Sequence, residues 1–195
     1  MGTIIRLVIA GLLAFFALPW CVDYFWAAAR NLTWPHDGWW PVSGMLVAAG
    51  MVWWKRPSWL VHTILHETCH ALVCWLLLVR IRNFQASDGQ GGKVIHDKTD
   101  PIRSTIISLA PYTLPLLLLP VMIGHHFAHP QTRHWWAFFA GFFLVHHLHG
   151  LFHNIRLNHR GAQADLVKSG RLLSLVVIAG VLLLVLGRWL RELGI

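Results

Sequence analysis

His66, Glu67 and His70, set in Leu65-His66-Glu67-Thr68-Cys69-His70-Ala71-Leu72, are the residues whose types and spacing could do chemistry together. On a helix, positions four apart share one face, so both imidazoles could reach a single metal ion. Glu67 falls about 100° round the helix from His66. There its carboxylate could take a proton from a water that the metal activates. The chain has 14 histidines in 195 residues, and Glu67 and Glu192 are its only glutamates. The chance expectation of H-E-x-x-H at that composition is about 0.01. A pair of hydrogen-bonded core histidines would account for His66 and His70 but not for Glu67, because a carboxyl in an apolar span costs several kcal/mol.

A catalytic zinc takes three protein ligands and keeps one position open. Asp165 is the expected third ligand, the one acid between Asp100 and Glu192. Its competitors are His147, His149 and His153 on one later segment, and Cys74, which continues the His66–His70 face at the next i+4 position. The plain alternative for Asp165 is a solvated loop carboxylate, and for Cys74 simple packing. His146, His147, His149 and His153 read mainly as lining or supporting groups. His125, His126, His129 and His134 are expected in a short loop, facing solvent or headgroups.

The elements that must position these groups are apolar. Hydrophobic residues make up 56% of the chain and charged residues 12%. A soluble domain carries about twice that charge, so the surplus apolar surface is expected to face lipid. The net charge of +8 then reads as topology and anionic headgroups, with no nucleic-acid partner. Cys21, Cys69 and Cys74 form no disulfide framework.

The expected fold class is an all-α membrane protein, one domain over residues 1–195, with about six transmembrane helices. The segments are Ile4–Trp20, Trp39–Trp54, Ser58–Ile81, Ile102–Gly124, Trp135–Phe152 and Leu172–Leu190. The first could instead be a signal peptide with Ala27-Ala28-Ala29 as its cleavage site, although that site lies well past the apolar stretch. Residues 21–38, with Pro35 and Asp37, are expected as a connection, and Pro57 as the start of the third helix. A small β-hairpin, Val79–Ala86 with Lys93–His96, should follow the H-E-x-x-H helix around a turn at Ser87-Asp88-Gly89-Gln90-Gly91-Gly92. Pro111 and Pro115 should kink the fourth span, and a polar loop should run from Ile155 to Gly170. Lysines and arginines favour the loops at 80–103 and 155–171, which places both on the cytoplasmic side.

The LHETCHAL run in an apolar helix, the Gly91-Gly92 loop, SLAPYTLP in the next span and the late Asp165-Leu166 resemble the site-2 protease family of intramembrane zinc metalloproteases, over roughly residues 58–185. The resemblance implies one zinc per chain on His66, His70 and Asp165, with Glu67 activating water for peptide hydrolysis. It further implies substrate contacts at Gly91, Gly92, Pro111, Tyr112, His149 and Asn154, a membrane-protein substrate and a bacterial inner membrane. The family's G-P-x-x-N pattern is only partly matched by Ala110-Pro111-Tyr112, and its N-x-x-P-x-x-x-L-D-G pattern is not matched. Two other readings compete. A membrane di-iron desaturase or hydroxylase would use the histidine pairs but leave Glu67 without a task. A catalytically inactive metal-binding scaffold would tolerate Glu67→Gln.

Overall fold

The structure, a computed structural model, describes residues 2–31, 38–55, 58–87, 91–159 and 165–193. The expected roles of Pro35, Asp37, Pro57 and the Asp88–Gln90 turn lie outside the described residues. The chain is mainly helical with one two-stranded sheet. Helix α1 (Thr3–Leu12) passes through a π-helical turn (Leu13–Ala17) into α2 (Leu18–Arg30). The expected connection from Cys21 is therefore helical through Arg30, since Cys21–Arg30 holds neither Pro nor Gly and ends in a run of alanines. Helix α3 is Trp39–Trp54 and α4, which carries the H-E-x-x-H, is Trp59–Leu76.

Helix α4 ends earlier than its apolar run suggests, because Leu78 takes a left-handed φ of 57° and turns the chain into a hairpin. Strands β1 (Ile81–Ser87) and β2 (Gly91–His96) pair antiparallel, with Phe84 opposite Val94 and Gln85 opposite Lys93. Register slips between Ile81 and Asn83, where Arg82 pairs with Asp97. Helix α5 (Pro101–Thr113) starts at a clear stop-and-start signal. Asp100 caps it by accepting the Ile102 and Arg103 amides, both at 3.0 Å, and Pro101 supplies a preset φ.

The expected fourth span is two helices. The helix is interrupted between α5 and α6 (Leu118–Phe127), with Leu114 extended as required before Pro115. Helix α7 runs from Arg133 to His159, α8 from Asp165 to Ser169 and α9 from Arg171 to Leu193. Much of the expected loop at 155–170 is thus helical, and Gly170 makes the α8–α9 corner with a φ of 93°.

Two helices among the described residues are long and apolar enough to cross a membrane, Thr3–Arg30 and Arg171–Glu192. The pair α5 and α6 would add a third as one broken span. Helix α3, at 16 residues, is short for a span. Helices α4 and α7 are diluted by histidines.

Contacts divide the chain into two compact units. The first comprises Met1–Gly11, Pro57–Leu114 and Leu151–Ile178. Cys74, Val79 and Ile107 form a core there, with Val73, Leu77 and Ile81 against it. Cys74 is fully buried in that apolar cluster, so its thiol packs and is no ligand. The second unit comprises Leu12–Arg56, Pro115–Gly150 and Ala179–Ile195. Its core joins Leu118, Met122, Ala140 and Leu144, with Val185 and Trp189 packed against them. His125 is not in a solvent-facing loop: it ends α6 and is buried. Glu192, itself enclosed, draws in donors as a buried carboxylate must. Its Oε1 lies 3.1 Å from His126 Nδ1 and its Oε2 2.7 Å from Arg188 Nη2, while His125 Nδ1 stands 3.6 Å from Oε1, beyond hydrogen-bond length.

Candidate metal centre

The centre lies within the first unit. His66 and His70 point from one face of α4 and are both buried, and the start of α8 brings Asp165 to them. The Nε2 atoms of the two histidines are 3.3 Å apart. Asp165 Oδ2 is 3.6 Å from that of His66 and 3.7 Å from that of His70. Corners with these separations are all about 2 Å from a common point, the length of a Zn–N or Zn–O bond. The three side chains therefore fit one ion.

The ring of His70 is anchored. Its Nδ1 donates to the carbonyl oxygen of Ile107 at 2.7 Å. A carbonyl can only accept, so the proton sits on Nδ1 and the Nε2 lone pair is available for a metal. His66 lacks such an anchor, since its Nδ1 is buried with no hydrogen-bond partner among the described residues. Burial alone would push the Asp165 carboxyl up, but the two imidazoles beside it outweigh burial and hold it well below the usual carboxylate range. Asp165 thus stays the anion that a metal ligand must be.

Glu67 is buried beside this triangle and held by β2. The Val94 amide faces its carboxylate. A Cβ at Gly92 would strike Glu67 Cγ and come within 2.8 Å of Glu67 Oε1 and of Thr63 Cγ2. Only glycine lets the strand approach the carboxylate this closely. Because the Val94 amide points to Glu67, it points away from β1. The two-residue period of the strand then turns the backbone groups of Gly92 and His96 to the same edge, away from β1. A cavity of about 320 Å³ opens here, lined by Glu67, the three candidate ligands and β2.

The peptidase M50B-like family model matches residues 42–156, more than half of the chain. The chain belongs to the peptidase M50B-like family. No curated protein and no solved structure matches it. Membership places this M50B-like chain in the site-2 protease family, as a membrane protease of the metallopeptidase kind. The matched stretch includes His66, Glu67 and His70 and stops short of Asp165, so the aspartate's place rests on the geometry.

The other residues singled out in this M50B-like chain are distributed unevenly. Gly92 lines the cavity, and Gly91 opens β2 with a φ of 80°, a conformation that favours glycine. Pro111 and Tyr112 are buried in the last turn of α5. The Tyr112 ring meets His66 edge-on, 6.1 Å between centroids, so it supports a candidate ligand and does not line the cavity. Asn154 is buried and its Oδ1 lies 2.8 Å from His62 Nε2. His149 is half-buried on α7 and falls in the second unit.

Sequence reasoning passed over four groups. His62 extends the His66–His70 face one turn back, and its i−4 spacing could have revealed it. Its ring stands edge-on to His153 at 4.7 Å. Lys93, His96 and Lys168 also border the cavity, and no local pattern marks them, because β2 and α8 meet α4 only through the tertiary fold.

Proposed function

We propose that the chain is a zinc-dependent intramembrane endopeptidase that cleaves a transmembrane or membrane-proximal segment of a substrate protein. The observation that carries this reading is the coincidence of three ligand atoms spaced for one ion with a carboxylate held beside them. His66, His70 and Asp165 would hold one zinc per chain. When bound, zinc supplies a Lewis acid that polarises a carbonyl and brings water within reach of deprotonation near neutral pH. Glu67 receives the proton of the attacking water and returns it to the leaving amine, and the Val94 amide fixes the carboxylate for both transfers. A helical substrate hides its carbonyls, so it must unwind before it is cut. The edge of β2 away from β1, at Gly92 and His96, offers backbone partners to the unwound strand.

The same reading places the chain in a bacterial inner membrane with about six spans and the site opening to the cytoplasm, in line with the cationic 80–103 and 155–171 loops. Its partners are lipid and a membrane-protein substrate, without nucleic acid. Purified protein in proteoliposomes, offered a mixture of single-span segments, provides the test by mass spectrometry. Wild type should cut and Glu67→Gln should lose about 100- to 10,000-fold of that rate. Equal products from both proteins, or none from either, would remove the peptidase reading and favour a metal-binding scaffold.

A further inference from the structure

We infer that Lys93 and Lys168 form a carboxylate-recognition pair, so that the preferred substrate carries an acidic group close to the cut bond. The inference rests on the peptidase reading and names the chemistry of the segment that enters the site. Lys93 stands on β2 and Lys168 on α8, and both line the same cavity as Glu67. Neither lysine side chain has a hydrogen-bond or ion-pair partner among the described residues. The nearby acids are otherwise engaged. Asp97 pairs with Arg82 and Asp100 with Arg103. Asp165 faces His66 and His70, and Glu67 faces the Val94 amide.

The cavity therefore presents two uncommitted ammonium groups beside the candidate metal centre. Unpaired lysines at the mouth of a partly enclosed site attract anions and disfavour cations, so they sort substrates by charge. An anion within reach of both would gain two charge-assisted contacts. The anions of an unmodified peptide are carboxylates, so the expected ligand is an Asp or Glu side chain, or a free terminal carboxylate. The lysines would act on which segment binds and in what register, leaving the proton transfers of Glu67 unchanged.

The test separates this inference from the peptidase reading by measuring binding in a protein that does not turn over. Full-length Glu67→Gln protein in proteoliposomes is labelled with photo-crosslinking peptides identical but for one position, Glu, Gln or Lys. A fourth peptide has neutral side chains and a free C-terminus, and a fifth is its amide. The Glu peptide should label about five- to tenfold more efficiently than the Gln peptide, the range expected of two solvent-accessible ion pairs. Lys93→Glu with Lys168→Glu should reverse the order and favour the Lys peptide. A preference for the free C-terminus over the amide, in place of Glu over Gln, would assign the pair to a terminal carboxylate. Equal labelling by all peptides, no labelling by any, or an order unchanged by the double reversal would overturn the inference. If wild type cleaves nothing while the charge preference stands, the peptidase reading fails and the carboxylate site survives.

Discussion

The amide of Val94 faces the carboxylate of Glu67, so the strand that borders the site also flanks the residue proposed as its base. A helix alone would leave Glu67 free to sample rotamers. Strand β2 removes that freedom from one side with an amide, and Gly92 removes the space beside it.

Gly92→Ala should therefore cost turnover. The added Cβ would collide with Glu67 Cγ and press on Thr63 Cγ2 at 2.8 Å, so the carboxylate must move. A displacement near 1 Å at a catalytic group costs on the order of 100-fold. The expected result is a fall in cleavage rate of that size with bound metal unchanged, since Gly92 touches none of the three candidate ligands in the contacts above. Full activity in Gly92→Ala would show that the Glu67 position is not set by β2.

Metal content by mass spectrometry separates ligand from base. Wild type should carry about one zinc per chain. Asp165→Ala should lose it, because two imidazoles alone leave the ion short of a protein ligand, whereas Glu67→Gln and His149→Ala should keep it. A strong chelator should strip the wild-type metal and abolish cleavage, and added zinc should restore both. Zinc retained in Asp165→Ala but lost in His149→Ala would move the site to another helix.

How much of this could be read from residues alone depended on range. The H-E-x-x-H and the i+4 face of α4 are local, and the hairpin after them follows from a glycine-rich turn between alternating segments. The limits of local reasoning show at Cys74, which shares the helical face of His66 and His70 yet lies among Val79 and Ile107. Only the fold reveals that its turn of α4 has passed beneath the apolar core. His125 taught the same lesson from the other direction. Its partner Glu192 is 67 residues away in sequence, so nothing near it distinguishes a buried histidine from a loop histidine. Lys93 and Lys168 likewise acquire meaning from an encounter of β2 and α8 that no periodicity encodes.

His62 and Asn154 provide a thermodynamic test of packing in the first unit. Their 2.8 Å hydrogen bond ties α4 to the C-terminal part of α7 at a place where Asn154 is buried. A neutral hydrogen bond contributes about 1 kcal/mol net, and stranding one partner costs about 1–3 kcal/mol. Each of His62→Ala and Asn154→Ala should lower unfolding stability, and the double variant should lose less than their sum by about 1 kcal/mol. Strict additivity would mean that the two side chains do not depend on each other.

Gly44 and Gly141 make the corresponding case for the second unit. A Cβ at Gly44 would collide with the Phe138 carbonyl and reach the Phe142 amide at 3.0 Å, and a Cβ at Gly141 would collide with the Pro41 carbonyl oxygen and reach its carbon at 2.7 Å. The contacts are reciprocal, α3 glycine on α7 backbone and α7 glycine on α3 backbone, which is how small residues let helices approach in a membrane. Backbone atoms cannot swing aside as a side chain can, so even one methyl must separate the helices. Gly141→Ala and Gly44→Ala should each destabilise by about 1–3 kcal/mol, measured as a shift in the detergent unfolding midpoint. Because both sites report the same crossing, the second substitution should cost less once the first has opened it. Gly50, which meets nothing within 4 Å, is the control on the same helix, and Gly50→Ala should be neutral or slightly stabilising. Equal effects at Gly50 and Gly44 would show that helix propensity, and not close approach, governs these positions.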